Sequence, residues 1–441
     1  MPDVPPETET SAAPGTEPAP CEHTYQTTVT APTCTTDGTT VYRCTKCGDT
    51  YTETDKATGH SFGPWRTVAE PTTSSAGLRR SVCSRCGAEQ TETIPQLEGL
   101  TPLDPEQYCG YLYLGTLPGA SRLEGAYRAI VAAVSRYAPQ IDVSAYRLNS
   151  DELYTVYMTY VTDYPQHFWV AHQFSYSGDF GTIWPAYLSF EGGIPAARAA
   201  FEAAADRLLE GIPLDADEFE KEVFVHDRLV DACSYVADGT EVSHTAFGSL
   251  VLGHSVCEGY SKAMQYLMYR CGIQCTTVNG RGSGGNHEWN IVRIGGEYYH
   301  LDVTFDDPVG TNYCSYKFFN LTTAQISADH TVLPDMNYMP IPECTATAYY
   351  YPTHAGVILE ELTAESLAES ILEYIDRTGL TDTIILFYLG DITPVADFLK
   401  NETWSAVRIA KKTDSRLQAV TSLKYIKPEN GPQFVLFLKT S

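Results

Sequence analysis

The pair Gly295-Gly296 sits between two stretches that alternate apolar and polar residues, 287–294 and 297–305, and this pattern narrows the fold more than any other feature of the chain. Two adjacent glycines accept the positive φ of a two-residue turn, so the spacing predicts a β-hairpin. The turn also sets the register. With Ile294 opposite Glu297, Trp289 faces Asp302 and His287 faces Thr304, and all four side chains share one face. His287 and Asp302 become diagonal neighbours with Cβ atoms about 7 Å or less apart, within reach of an imidazole-to-carboxylate hydrogen bond.

Upstream, Val256, Tyr260, Ala263, Met264, Leu267 and Cys271 recur at three-to-four spacing and Gly272 follows, which predicts a buried helix closed by a glycine. Cys257 falls in its first turn. There the helix macrodipole and unpaired backbone N–H groups favour thiolate over thiol, and one such N–H can face an oxyanion. A thiol, an imidazole and a carboxylate are the parts of an activated nucleophile, its base and the group that orients the base. The chemistry they point to is acyl transfer.

The segments that carry these residues, GHSVCEGYSKAMQYLMYRCGIQC and HEWNIVRIGGEYYHLDVTFDDP, resemble the core of the bacterial transglutaminase-like superfamily of cysteine enzymes, which share a papain-like fold. The resemblance extends upstream through VFVHDRLVDACSYVADGTEVSHTAFGSLVLG and downstream to YKFFNLT, roughly residues 218–322, and TDYPQHFWV is similar to the family's lead-in. It implies that Cys257 is the nucleophile, His287 the general base and acid, and Asp302 the orienting acid. The second oxyanion donor varies within the family, and Ser243 and His244 are candidates. The implied activity is attack on peptide or glutamine amide bonds through a thioester, with hydrolysis favoured over protein cross-linking and no catalytic cofactor or calcium. The alternative is a non-catalytic cell-surface binding or adhesion protein that uses the same scaffold.

Other residues have plainer readings. Cys109, Cys233, Cys271, Cys275, Cys314 and Cys344 read as packing. His300 reads as a structural histidine and Trp289 as a wall that keeps water from the thiol. His226, Asp227 and Asp231 read as a solvated or cap-forming helix face, and the glycine-bearing stretch 279–286 as a mobile loop.

A repeat of about 39 residues appears as APTCTTDGTTVYRCTKCGDTYTET and again as EPTTSSAGLRRSVCSRCGAEQTET. Pro32 maps to Pro71, Gly38 to Gly77 and Cys44 to Cys83. Each copy holds one C-x-x-C followed by glycine, the form of a zinc knuckle, so Cys44, Cys47, Cys83 and Cys86 are candidate metal ligands. The first copy has Cys21, His23, Cys34 and His60 to complete a tetrahedron; the second has Thr73 in place of Cys34, so the two are not expected to bind zinc alike. Disulfides are the competing account in an exported protein. Such tandem modules are similar to those strung along surface proteins of Gram-positive anaerobes, and they read as binding or spacing modules.

Residues 1–20, rich in Pro, Thr, Glu and Ala, read as a disordered spacer of the kind that follows a cleaved signal or lipid anchor, with the export signal itself absent from this chain. Two cysteine modules fill 21–98. A helical and strand lead-in layer, with helices at 121–137 and 150–164 and an aromatic strand at HFWVAHQFSYSG, covers 99–200, and a third helix at 196–210 precedes the core proper. The transglutaminase-like catalytic core occupies 201–343 and a C-terminal α+β domain 344–441. That last domain is read as strand TATAYYY, helix 364–378, strand TDTIILFYL, a helix near Val395, strand SAVRIAK and strand QFVLFLK. The fold class is α+β: a papain-like core with small β-rich N-terminal modules.

The net charge of −26 opposes a nucleic-acid or anionic-membrane partner, and no apolar run approaches the roughly 20 residues that span a bilayer. The expected partners are a protein or peptide substrate and a cell-surface or cell-wall component. The expected location is extracellular or attached to the cell surface.

Overall fold

The computed structural model describes residues 21–69, 77–94, 99–283, 285–311 and 313–440. The spacer at 1–20 and the repeat positions Pro71 and Thr73 lie outside the described residues. The chain divides into two compact units, Met1–Gly99 and Leu100–Ser441.

In the first unit the repeat folds twice into the same object. Strands β1 (Tyr25–Thr30), β2 (Gly38–Cys44) and β3 (Thr50–Asp55) form one antiparallel meander, and β4 (Arg66–Ala69), β5 (Gly77–Val82) and β6 (Glu89–Ile94) form the other. Thr, Val and Tyr suit the extended backbone. Most of these side chains nonetheless stay exposed, and the buried apolar ones among the described residues are Cys34, Cys44 and Cys83.

After a short helix at Cys109–Leu114, the second unit has helices α1 (Ala120–Val134) and α2 (Ser150–Asp163), close to the expected spans. Helix α2 starts at a capping box in which Asn149 and Glu152 satisfy each other's backbone N–H, a contribution of about 1 kcal/mol. Strands β7 (Val170–Tyr176) and β8 (Thr182–Tyr187) follow, then α3 (Ile194–Leu208) and α4 (Glu218–Ala232).

Helix α5 (Cys257–Arg270) is the centre of the unit. Tyr260, Ala263, Met264 and Leu267 have no exposed surface, and each of the larger ones is worth about 1.5–3 kcal/mol of burial. Gly272, at φ +79°, supplies the left-handed residue that ends the helix. The helix packs on β9 (Cys275–Gly282) and β10 (Gly285–Ile294). With β11 (Glu297–Leu301) and β12 (His330–Val332) these strands form a sheet ordered β11-β10-β9-β12.

The hairpin register is the expected one, from Ile294↔Glu297 to Asn290↔Leu301. Its length is not. The ladder ends at Leu301, so Trp289↔Asp302 and His287↔Thr304 never form as strand pairs. Instead the Asp302 N–H donates to the carbonyl of Phe318 at 3.1 Å, and the chain turns so that the Asp306 N–H returns to the Asp302 carbonyl. The stretch 279–286 is likewise mostly strand rather than loop. Two of its glycines are packing residues: a Cβ on Gly280 would lie 2.7 Å from Trp289, and one on Gly282 would lie 2.9 Å from the His287 ring.

The C-terminal residues contribute α6 (Ala364–Thr378), β13 (Thr383–Phe387), α7 (Val395–Thr413), β14 (Val420–Ile426) and β15 (Gln433–Thr440), the sheet running β13-β15-β14. The segment SAVRIAK, expected as a strand, is the second half of α7. Its Ala406, Val407 and Ala410 continue a helical stripe begun by Val395 and Leu399, all buried. TATAYYY is also not a strand: Tyr351 begins a short helix and its ring stacks on Tyr316 at 3.9 Å. No described helix is long and apolar enough to cross a membrane.

Candidate active site

Cys257 is the first residue of α5, after Val256 in extended conformation (φ −94°, ψ 179°), and no side chain caps the helix. The Gly259 N–H is bonded to the Val256 carbonyl at 3.0 Å, which leaves the N–H groups of Cys257 and Glu258 beside the half-buried sulfur. His287, near the start of β10, is 7% exposed, and Asp302, just past the end of β11, is fully buried.

The His287 Nε2 lies 2.7 Å from Asp302 Oδ2. Burial opposes charge on Asp302, but His287 and His330 outweigh it and hold the carboxyl down at about 2. An ionised carboxylate only accepts, so Nε2 of His287 must carry the hydrogen. That leaves Nδ1 for the thiol. Burial also disfavours the imidazolium, yet Asp302 first and Cys257 second outweigh it, and His287 is pushed up to about 10. The ring is thus a base whose protonated form is well stabilised once it has taken a proton.

Asp302 is itself held from several sides. Its Oδ1 accepts the Phe305 N–H at 3.1 Å. Its Oδ2 accepts a second histidine, His330 Nε2, at 2.9 Å. Aromatic rings wall the group: Phe305 lies 4.4 Å from His287, and Trp289 lies 4.9 Å from His330, centroid to centroid. The Trp289 indole donates to His300 Nδ1 at 3.0 Å, so both act as the wall and structural histidine expected of them. A thiol, an imidazole and a buried carboxylate in this order can carry nucleophilic attack on an acyl carbon and return a proton to the leaving group.

Residues 206–303 match the family model of the transglutaminase-like superfamily, a span that contains Cys257, His287 and Asp302. The chain carries a transglutaminase-like domain. Two solved structures also show similarity. One is a candidate cysteine protease from Cytophaga hutchinsonii, at 15% identity over 24% of this chain and 37% of that one, with a TM-score of 0.21. The other is described as a TGase, at 13% identity over 28% of this chain and 35% of that one, with a TM-score of 0.23. The matched parts thus span about a third of each of those chains. No curated protein matches this chain.

Beside the transglutaminase-like site, a cleft of about 160 Å³ is lined by His172, His244, Glu258 and Lys262 among others. His244 Nδ1 lies 2.9 Å from Glu258 Oε2, leaving only its Nε2, and the Ser243 hydroxyl donates to the Thr240 carbonyl at 2.7 Å, so Ser243 has no free side-chain donor there. His330 went unread in the sequence because nothing local marks it. It reaches Asp302 through the pairing of β12 with β9, where Gly282 faces His330.

The cluster at His226 corrects the sequence reading. His226 is fully buried, with Nδ1 3.0 Å from Asp227 Oδ1 and Nε2 3.4 Å from Asp306 Oδ2. The helical face bearing His226 turns inward, while Asp231 is exposed as the solvated reading has it. Of the cysteines read as packing, Cys109, Cys271, Cys314 and Cys344 are pushed up to about 12, burial being the largest cause in each.

In the N-terminal unit the four C-x-x-C thiols fall into two separate clusters. Cys44 and Cys47 gather with Cys21 and His23, while Cys83 and Cys86 gather with Cys34 and His60. Of the four residues expected to complete the first copy's site, Cys21 and His23 do so, while Cys34 and His60 go to the second copy. Both clusters have the composition to hold a metal ion.

Proposed function

We propose that the transglutaminase-like domain is a cysteine-dependent acyl-transfer enzyme that acts on peptide or glutamine amide bonds. Cys257 Sγ, having already passed its proton to His287 Nδ1, attacks the carbonyl carbon as the thiolate. The tetrahedral oxyanion lies against the open N–H groups of the first turn of α5. Collapse breaks the C–N bond, His287 returns the proton to the leaving amine, and a thioester remains on Cys257. Water, deprotonated by the same imidazole, then releases the acid and restores the thiol. Hydrolysis rather than amine acceptance follows the resemblance to bacterial members of the superfamily.

The observation that carries this reading is the His287–Asp302 contact at 2.7 Å, with Cys257 among the groups that favour the protonated ring. Asp302 orients and His330 steadies Asp302. In this reading the protein works at the cell surface or outside the cell on protein or peptide substrates, and the N-terminal clusters hold structural zinc rather than disulfides.

The test is iodoacetamide labelling across pH with peptide mapping, comparing the intact protein with His287→Ala. Fast labelling at Cys257 that is lost in the variant supports the thiolate–imidazole pair. Labelling no faster than at an ordinary exposed cysteine would return the domain to a binding scaffold.

A further inference from the structure

We propose that the second N-terminal zinc ion is shared between the repeats, with Cys34 of the first module completing the site of the second. The inference rests on the zinc reading above and goes beyond it in naming the ligand sets and their order. Cys34 lies between β1 and β2, within the first module. His60 lies in the link between β3 and β4. Both meet the C-x-x-C that follows β5: Cys34 Sγ is 3.9 Å from Cys83 Sγ, and His60 Nδ1 is 3.3 Å from Cys86 Sγ.

The first cluster has the same dimensions, with Cys21 Sγ 4.0 Å from Cys44 Sγ and His23 Nδ1 3.3 Å from Cys47 Sγ. A tetrahedral zinc with bonds of about 2.3 Å to sulfur and about 2.0 Å to nitrogen sets its ligands about 3.8 Å apart for S–S and about 3.5 Å for S–N. A disulfide needs about 2.05 Å. All eight ligand atoms fall near the metal spacing, and every one of these cysteines is free.

The local backbone is built for thiolate as well. Each C-x-x-C turns through a glycine in the left-handed region, Gly48 at φ +80° and Gly87 at φ +74°, and the Ser61 N–H points at Cys83 Sγ at 3.3 Å. The link is knit to the second knuckle by an Arg85 Nη1 bond to the Thr58 carbonyl at 3.0 Å, and to the first module by the Thr58 N–H bond to the Thr33 carbonyl at 3.0 Å.

The two sets share a composition, three thiols and one imidazole, without sharing repeat positions. At the 39-residue offset between Cys44 and Cys83, Cys21 corresponds to His60, His23 to Phe62 and Cys34 to Thr73. The second copy has lost the histidine that serves the first and regains a fourth ligand by taking Cys34 from its neighbour. Donation therefore runs one way, from first module to second. Thr73 offers no thiol to pass on, and the sequence has no later C-x-x-C to receive one.

The experiment measures zinc per full-length chain by plasma mass spectrometry after dialysis against a weak chelator, and the visible spectrum after cobalt exchange. The intact protein is expected to hold two ions with thiolate-to-cobalt bands. Cys34→Ser and Cys21→Ser are each expected to lose one ion, the double variant both, and Cys34→His to recover the second. Two ions retained in Cys34→Ser, or both lost, would overturn the shared, one-way arrangement while leaving zinc in place. Intact protein that binds no zinc, or resists alkylation until reduced, would overturn the zinc reading and this inference with it.

Discussion

The two units use cysteine in opposite ways. In the larger unit, which carries the transglutaminase-like domain, burial raises Cys109, Cys271 and Cys344, and Cys233, Cys271 and Cys275 pack in the main apolar core, while Cys257 sits at a helix N-terminus. In the N-terminal unit there is no such core: among the described residues before Leu100, none joins an apolar cluster. There the cysteines converge in threes, each set with one histidine, in place of packing. A large domain can spend one cysteine on chemistry because hydrophobic burial already holds it together, while a module of three short strands cannot.

The largest effect that tests this contrast is on turnover. Cys257→Ala is expected to abolish peptide hydrolysis, a loss of at least about 10⁴ in kcat/KM, with zinc content and far-UV circular dichroism unchanged. A loss of zinc as well would mean the units are not independent.

Asp302→Asn is expected to cost about 10³ to 10⁴ in kcat and to move the alkaline limb of the pH profile. His287 is raised from 6.5 to about 10, so its proton adds stability that is complete below about 6.5 and fades as pH rises through about 10. Without the carboxylate that limb falls toward the ordinary histidine value. A limb that stays in place would remove Asp302 from its role.

His330→Phe keeps the aromatic packing and removes one hydrogen bond to a charged group, worth roughly 1.5–3 kcal/mol. The expected loss of kcat/KM is about tenfold to a hundredfold, with a pH limb shifted less than in Asp302→Asn. An unchanged profile would make His330 a packing residue only.

A smaller effect comes from Glu222, buried and raised to about 8 chiefly by burial, although Asn320 donates to it at 2.8 Å. The folded protein keeps this proton where the unfolded chain, at about 4.5, gives it up. Stability from this group is present below about 4.5 and lost as pH rises through about 8. Glu222→Gln is expected to flatten the fall in melting temperature between pH 5 and pH 8 by a few degrees. An equally steep fall would show that Glu222 does not titrate there.

What could be read from the sequence was what depends on neighbours in the chain. The register of β10 with β11 follows from two glycines, and the buried face of α5 follows from its spacing. Where the reading failed, distant parts decided. Asp302 leaves the strand because Phe318 offers its carbonyl to the backbone. His226 turns inward to meet Asp306. SAVRIAK alternates over a short window but belongs to a longer helical stripe. Cys34 was grouped with its own repeat because the crossing to Cys83 cannot be seen in either copy alone.

The glycines of β9 reach beyond packing. Any side chain at Gly280 would put its Cβ 2.2 Å from the Thr331 carbonyl, and at Gly282 2.9 Å from the His287 ring. A random-mutation library screened for lost turnover would therefore gather inactive clones at two codons that encode no chemical group, and a saturation map scored by activity alone would mistake bare backbone for machinery.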